Sequence, residues 1–476
     1  MKHPRIVAAG ALALLLSPAT QAQVNEAPAP APDPALEAIP PAAADESILP
    51  KWLKIGGDIR ARYESFDHLP VGGPLGDYWS YFRTRSRVFV KVDHNDFTFH
   101  TQAVNEWRKF VNRHGRNSYP FSDELIFDQL YLEYRNLFNL PLRARVGRQD
   151  IMDLGSLRVL GEGTPGDGSR SFSFNAARFT VTPVEKLDLD LIGIYNRWYD
   201  ELAIGGLDND IIRDRKRDLN GNRSDESGAV VYLTDKRDKE LPYELYYIWK
   251  HETKDARGRI AGGHGRDTHT LGTRLLPKFT DTLSAEFELA GQLGRTEDGR
   301  DIAAFMLYGG LTQNLEPVKG FTPYVSGAAI MLSGDKNEAS GSITGWNPVW
   351  GRLPQFGDLS GMQYPGMSFW YQNLIYPHVE LGLFKTENRR GHNLRFQTGP
   401  MFAQHKNASD VADAMAGDSH YRGWHTFSQF TYPLLTNAGP LKDLTARIEA
   451  DCLLPGDYFA QSSPIYFLRL ELAAKF

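Results

Sequence analysis

A single cysteine, Cys452, among 476 residues leaves no internal disulfide to form. Beyond the N-terminal segment no run approaches the roughly 18 uninterrupted apolar residues of a spanning helix. A chain of this kind can cross a membrane only as a closed barrel, which satisfies every backbone group without water. Catalytic signatures are missing as well: there is no Gly-Xaa-Ser-Xaa-Gly elbow, no His-Glu-Xaa-Xaa-His pair and no Walker loop, and the 13 histidines are scattered. No enzyme and no cofactor are therefore expected. A net charge of -5 is near balance for this length and offers no basic surface to nucleic acid. The glycines of Gly262-Gly263-His264-Gly265 precede no helical pattern whose N-terminus might hold a phosphate. In loop 205–226, Asp208, Asp210, Asp214 and Asp218 do not keep EF-hand spacing, so no metal is assigned.

What is present begins with an export signal. Lys2 and Arg5 precede an apolar core from Ile6 to Leu16, and Thr20-Gln21-Ala22 supplies small residues for cleavage, so residues 1–22 read as a signal peptide. Residues 23–50, rich in Pro and Ala, have no apolar period and read as a semi-extended periplasmic tether. Residues 51–476 read as one unit.

That unit is organised by its last strand. Tyr466, Leu468, Leu470, Leu472, Ala474 and Phe476 fall on one side, and Arg469, Glu471, Ala473 and Lys475 on the other. Period two between an apolar and a charged face is a strand dividing two environments. One such segment fits a half-buried strand of a soluble sheet equally well, but the pattern recurs from Lys54 onward in runs of about ten residues, the span a tilted strand needs to cross a bilayer. Roughly 18 runs are counted, the weakest at 227–234 and 268–276. Short Pro-, Asn- or Asp-bearing turns, such as 136–141, 182–186 and 277–281, alternate with long loops at 66–77, 108–124, 151–171, 198–226, 252–267, 333–368 and 404–421. This asymmetry predicts an all-β, antiparallel up-and-down transmembrane barrel of about 18 strands, with turns in the periplasm and loops outside. Aromatic residues, 12% of the chain, fall mainly at strand ends, as interfacial girdles require. Cys452 reads as a small lipid-facing residue.

The terminal aromatic residue resembles the C-terminal assembly signal of outer-membrane barrels. The segment LYLEYRNLFNLPLRARVGRQDI from Leu130, the Gly-rich loop after it, Ser333-Gly334-Asp335 and the long loop 334–368 resemble the alginate export porin family. The resemblance, from about Trp52 to Phe476, implies a monomeric outer-membrane barrel whose arginine-rich lumen passes an anionic polysaccharide. The Pro/Ala-rich leader departs from the family pattern and leaves a periplasmic secretion or assembly partner open.

If the apolar sets touch outer-membrane lipid, the polar sets line the lumen. The pattern then places Arg60, Arg62, Arg83, Arg85, Arg87, Arg143 and Arg145 inside, and closure of the barrel adds Arg447 and Arg469 to the same arc. Asp188, Asp190, Glu244, Glu286 and Glu288 are expected inside on the far side, giving a transverse field. Arginine suits an anion pathway because its planar fork stays charged and grips carboxylates in two-point geometry. The competing reading is a stiffening ladder, with Glu64, Glu449, Asp451 and Glu471 pairing the arginines. Loop 334–368, with Trp346, Trp350, Phe356, Tyr364 and nearby Trp370, either folds inward or packs on neighbouring loops. The expected function is a passive channel with an anion-preferring lumen that exports an acidic polysaccharide such as alginate. A small organic-anion porin and a loop-mediated receptor or adhesin are the alternatives.

Overall fold

The computed structural model describes residues 49–68, 78–112, 125–161, 173–197, 201–204, 224–254, 264–336, 341–351, 356–357, 359, 372–385, 393–406, 417–460 and 463–476. The expected signal peptide and the tether before Leu49 lie outside them, as does loop 205–223 with its four aspartates. Twenty strands follow in chain order: β1 (Leu53–Asp67), β2 (Trp79–His94), β3 (Phe97–Asn112), β4 (Leu125–Tyr134), β5 (Leu142–Gln149), β6 (Phe174–Val184), β7 (Leu187–Asn196), β8 (Ala203–Ile204), β9 (Glu226–Asp235), β10 (Tyr243–Glu252), β11 (Arg266–Leu275), β12 (Leu283–Thr296), β13 (Asp301–Asn314), β14 (Phe321–Leu332), β15 (Ser342–Ile343), β16 (Leu374–Lys385), β17 (Asn393–Phe402), β18 (Tyr421–Ala438), β19 (Leu441–Pro455) and β20 (Ile465–Lys475).

Two of these are two-residue pieces: β8 pairs with β4, and β15 runs parallel to β13. The other 18 form the wall, each antiparallel to its neighbours, and β1 pairs with both β2 and β20. Closure leaves no edge strand, which is what backbone in hydrocarbon requires. The runs with the weakest pattern are full strands, β9 and β11. Among the described residues no helix is long and apolar enough to cross a membrane.

Turn chemistry sets the register. The β2–β3 and β6–β7 reversals are two residues long, with Asn95 at φ 51° and Lys186 at φ 68°, the left-handed backbone that tight hairpins use. At the closing seam, Phe476 N–H donates to the Gly57 carbonyl at 3.0 Å and Gly57 N–H to the Phe476 carbonyl at 3.1 Å. A Cβ on Gly57 would lie 2.2 Å from the Arg87 carbonyl and 2.8 Å from the Phe476 ring, so the last residue docks where only glycine leaves room.

Burial alternates as the sequence pattern demands. On β1, Ile59 is 51% exposed and Arg60 is 2% exposed. Cys452 stands on the outward set of β19 with exposed Ile448 and Leu454, between inward Asp451 and Leu453. Exposed aromatics, among them Trp52, Tyr134, Tyr195 and Trp424, sit near strand ends, as interfacial anchors do.

The outward apolar band makes one cost specific. Leu289 lies outward near the middle of β12. Leu289→Arg is expected to lower stability by about 2–4 kcal/mol, the range for arginine facing lipid at mid-membrane. Urea titration of the barrel refolded into vesicles reads this directly, and an unchanged midpoint would place Leu289 away from lipid.

Candidate functional site

The interior is built from the inward set of each strand. On adjacent strands β20, β1 and β2, the register sets Glu471 beside Arg62 and Arg62 beside Arg83, Arg469 beside Glu64, Arg60 beside Arg85, and Asp58 beside Arg87. Like charges directly opposite one another destabilise a sheet unless something intervenes. Carboxylates do so here. Asp58 accepts from Arg85 Nη2 at 3.1 Å and from Arg87 Nε at 2.6 Å. Glu64 is shared by Arg469 at 2.8 Å, Arg83 at 3.3 Å and Arg62 at 3.5 Å. Arg62 also pairs with Glu471, Arg83 with Glu106 at 3.2 Å, and Arg469 with Glu449 at 3.3 Å. Arg447 faces Glu471 across the β19–β20 ladder. Around the wall, Arg145 bonds Glu133 at 2.7 Å and lies over the Tyr131 ring, and Arg143 donates to the Thr180 hydroxyl at 3.3 Å.

The expected acidic set is inward too, but it is not a bare carboxylate wall. Asp190 accepts from Arg178 Nε at 2.8 Å, and Asp188 accepts from the Thr182 hydroxyl. Glu244 takes the Tyr232 hydroxyl at 2.6 Å and Arg274 at 3.1 Å. Glu286 binds Arg158 at 2.6 Å and Arg274 at 2.9 Å, while Glu288 binds Arg158 at 2.7 Å and the Tyr246 hydroxyl at 3.0 Å. The two signs are therefore interleaved on both sides rather than segregated into a transverse field, because a buried charge without a close partner is costly. Period two alone marks Arg178 and Arg274 as inward; Arg158, in a loop, carries no such mark.

Two loops enter the barrel. Residues 150–161 follow β5, and residues 341–351 follow β14. Leu160 and Trp350 form a parallel bridge, with Trp350 N–H donating to the Val159 carbonyl at 3.0 Å. Trp350 Nε1 donates to Glu226 at 3.0 Å, Lys250 Nζ reaches Glu226 at 2.6 Å and the Val349 carbonyl at 2.8 Å, and Gln292 Nε2 donates to the Asn347 carbonyl at 2.6 Å. Trp346 and Trp350 are 3% and 1% exposed, so neither indole offers a free face to a sugar ring. The described part of the long loop thus folds inward; Tyr364 and Trp370 lie outside the described residues. On the other side Leu359 N–H donates to Asp451 at 2.9 Å, and Phe356 packs edge-on to Tyr376 and His378.

Loop 150–161 is pinned at both ends by charge. Asp153 takes two bonds from Arg178, at 2.8 and 2.9 Å, and the Arg158 guanidinium lies 3.4 Å over the Tyr308 ring. Asp153 is exposed, and the Arg178 guanidinium beside it holds its carboxyl below the usual range. A depressed folded-state value stabilises above the unfolded value of about 3.9 and is lost only as pH falls through the folded one. Protease protection of loop 150–161 is therefore expected to be the same at pH 7 as at about pH 4. Arg178→Met, which leaves the buried Asp190 without its cation, is expected to cost about 3–5 kcal/mol in urea unfolding. Loss of protection between those pH values would break the Asp153 assignment.

Residues 51–191 match the family model described as alginate export. No curated protein matches the chain. Among solved structures, Pseudomonas aeruginosa OprD is 11% identical with a TM-score of 0.51, covering 89% of this chain and 95% of that one. P. aeruginosa OccK5 (OpdH), at 11% identity and TM-score 0.51, covers 89% and 98%, and P. aeruginosa OpdQ, at 10% and 0.51, covers 89% and 97%. At these identities the likeness is one of fold. An edgeless 18-strand wall with an outward apolar band is the build of a membrane-spanning β-barrel, and residues 51–191 of it are similar to the alginate export family.

Proposed function

We propose that the barrel is a passive, non-enzymatic channel with an anion-preferring interior, and that its substrate is an acidic polysaccharide of the alginate kind. One observation carries this reading. The six arginines Arg60, Arg62, Arg83, Arg85, Arg87 and Arg469 on the inward faces of β20, β1 and β2 share five carboxylates, Asp58, Glu64 and Glu471 on the same strands and Glu106 and Glu449 on the strands beside them. Asp58 is shared by two arginines and Glu64 by three. Six bases over five acids leave the arc a small excess of positive charge, and the planar guanidinium fork suits two-point contact with a carboxylate.

A carboxylate on a passing chain has the same chemistry as Asp58 or Glu64 and can take one position in the shared network. Several such exchangeable positions suit conduction better than one tight site. The family match over residues 51–191, which contains β1, β2 and Arg143 and Arg145 of β5, supports a polymeric substrate. The second reading, a small organic-anion porin, is favoured by the two inward loops, whose buried Trp346 and Trp350 occupy interior space that a polymer would otherwise use.

Planar-bilayer recording under a salt gradient with added oligomannuronate separates these readings. Anion selectivity with concentration-dependent block by the oligomer is expected, whereas an anion-selective pore indifferent to it would select the small-solute reading. The combined substitution Arg60→Gln, Arg85→Gln and Arg469→Gln is expected to move the reversal potential toward zero. Unchanged selectivity in a correctly folded triple variant would remove the guiding role from this arc.

A further inference from the structure

The inward bases divide by kind and by height. The arginines of the β20, β1 and β2 arc lie deep and share acids. Three lysines stand on the same inward faces but at the turn end: Lys54 in step with Asp58 and Arg60, Lys91 in step with Arg85 and Arg87, and Lys475 in step with Arg469 and Glu471. Lys54 is the second residue of β1, Lys475 the last of β20, and Lys91 stands three before the end of β2. Further round the wall Arg143, second in β5 and in step with Arg145, lies at the same end.

These four are wetter than the arc and poorer in acids. Lys54 is exposed, and Lys91, Lys475 and Arg143 are half-buried. Among the described residues the side chains of Lys54 and Lys475 form no ion pair, although Asp58 and Asp443 flank Lys475 in the register. Asp58 is held by Arg85 and Arg87 instead. Lys91 comes no nearer than 3.9 Å to Asp93, which takes Arg135 at 2.7 Å. Arg143 holds a hydroxyl, that of Thr180, and among the described residues no carboxylate. Lys54 also stands directly opposite Lys91. Like charges so placed cost a sheet stability, and no acid bridges this pair.

The loop end is built the other way. Of the inward bases described there, Lys250 holds Glu226 at 2.6 Å, Arg266 holds Glu252, Arg158 holds Glu286 at 2.6 Å, and Arg108 lies 3.6 Å from Glu106. Uncompensated positive charge is therefore concentrated at the turn end, which in an outer-membrane barrel faces the periplasm. Lysine also differs from arginine in what it does to an anion. Its compact ammonium stays hydrated on a flexible stem and attracts without a two-point grip, whereas the guanidinium fork binds in fixed geometry. A polyanion arriving from the turn side meets the loose attraction first and the fork second.

We infer that Lys54, Lys91, Lys475 and Arg143 form a capture site for the carboxylates of an acidic polysaccharide at the turn-side mouth, so that the polymer enters the barrel from the periplasm. This rests on the anion-channel reading above and adds to it the end of entry and the residues that set it.

Single-channel recording with oligomannuronate added to one side of the bilayer at a time tests the site. In wild type the on-rate of block is expected to be about tenfold or more higher from one side, the lower end of what electrostatic steering supplies. That excess is expected to vanish in about 1 M salt, where screening acts within about 3 Å. The combined substitution Lys54→Gln, Lys91→Gln and Lys475→Gln is expected to lower the faster on-rate until the two sides match, while anion selectivity persists and shows that the barrel is intact. Replacing the same three by arginine keeps the charge and is expected to keep the asymmetry. Lys442→Gln, at an exposed outward position of β19 beside the same mouth, is expected to change nothing. Equal on-rates from both sides of an anion-selective wild-type channel, or an asymmetry that survives the triple glutamine variant, would overturn the capture site and leave the channel reading standing. Loss of anion selectivity or of block in wild type itself would remove both.

Discussion

The constraint on which the rest of the structure depends is that no backbone donor or acceptor can be left facing hydrocarbon. It is met when β20 pairs with β1, closing a ladder that runs from Gly57 and Phe476 up to Asp67 and Tyr466. That single pairing brings together charges that lie at opposite ends of the chain. Arg62 meets Glu471, and Glu64 meets Arg469, across more than four hundred residues. This charge network is thus a by-product of closure, and its composition is set by which residues occupy alternate positions near the two ends.

Burial then dictates how those charges coexist. Arg60 opposite Arg85 and Arg62 opposite Arg83 are like-charge pairs that an isolated sheet would disfavour. They are held because Asp58, Glu64, Glu106 and Glu471 sit within the same net, so removing any one acid leaves several cations to be rehoused. A network with fewer acids than bases has the further property that its bonds are shared. Shared bonds are individually weaker, so each acid holds its cations less tightly than an exclusive pair would.

The wall was legible in the sequence because a two-sided strand in a membrane has no freedom to break its period. Every inward arginine expected from the alternation of β1, β2, β5, β19 and β20 is on the inward set. What period two could not reveal is what fills the interior. β9 reads weakly because Val230 and Tyr232, on its inward face, are apolar, and they are so because loops 150–161 and 341–351 pack against that side. The same packing brings Arg158 to Glu286 and Glu288, a contact between residues with no common period. Segregation of acid and base into opposing walls failed as an expectation for a related reason: Arg178 and Arg274 occupy inward positions beside Asp190 and Glu244, and low-dielectric burial favours the nearest partner over a distant field.

The two sides of the wall obey one rule with opposite results. Inward, a small residue opposite a long one is compensated by loops of the same chain, as where Trp350 packs within 2.5 Å of a Cβ built on Gly228. Outward, Gly193 has no such neighbour, although it lies in the same hairpin as inward Ile192 and Ile194. The alternation that makes the barrel readable therefore also separates a closely packed, charge-paired interior from an outward apolar band, each built from residues the other never touches.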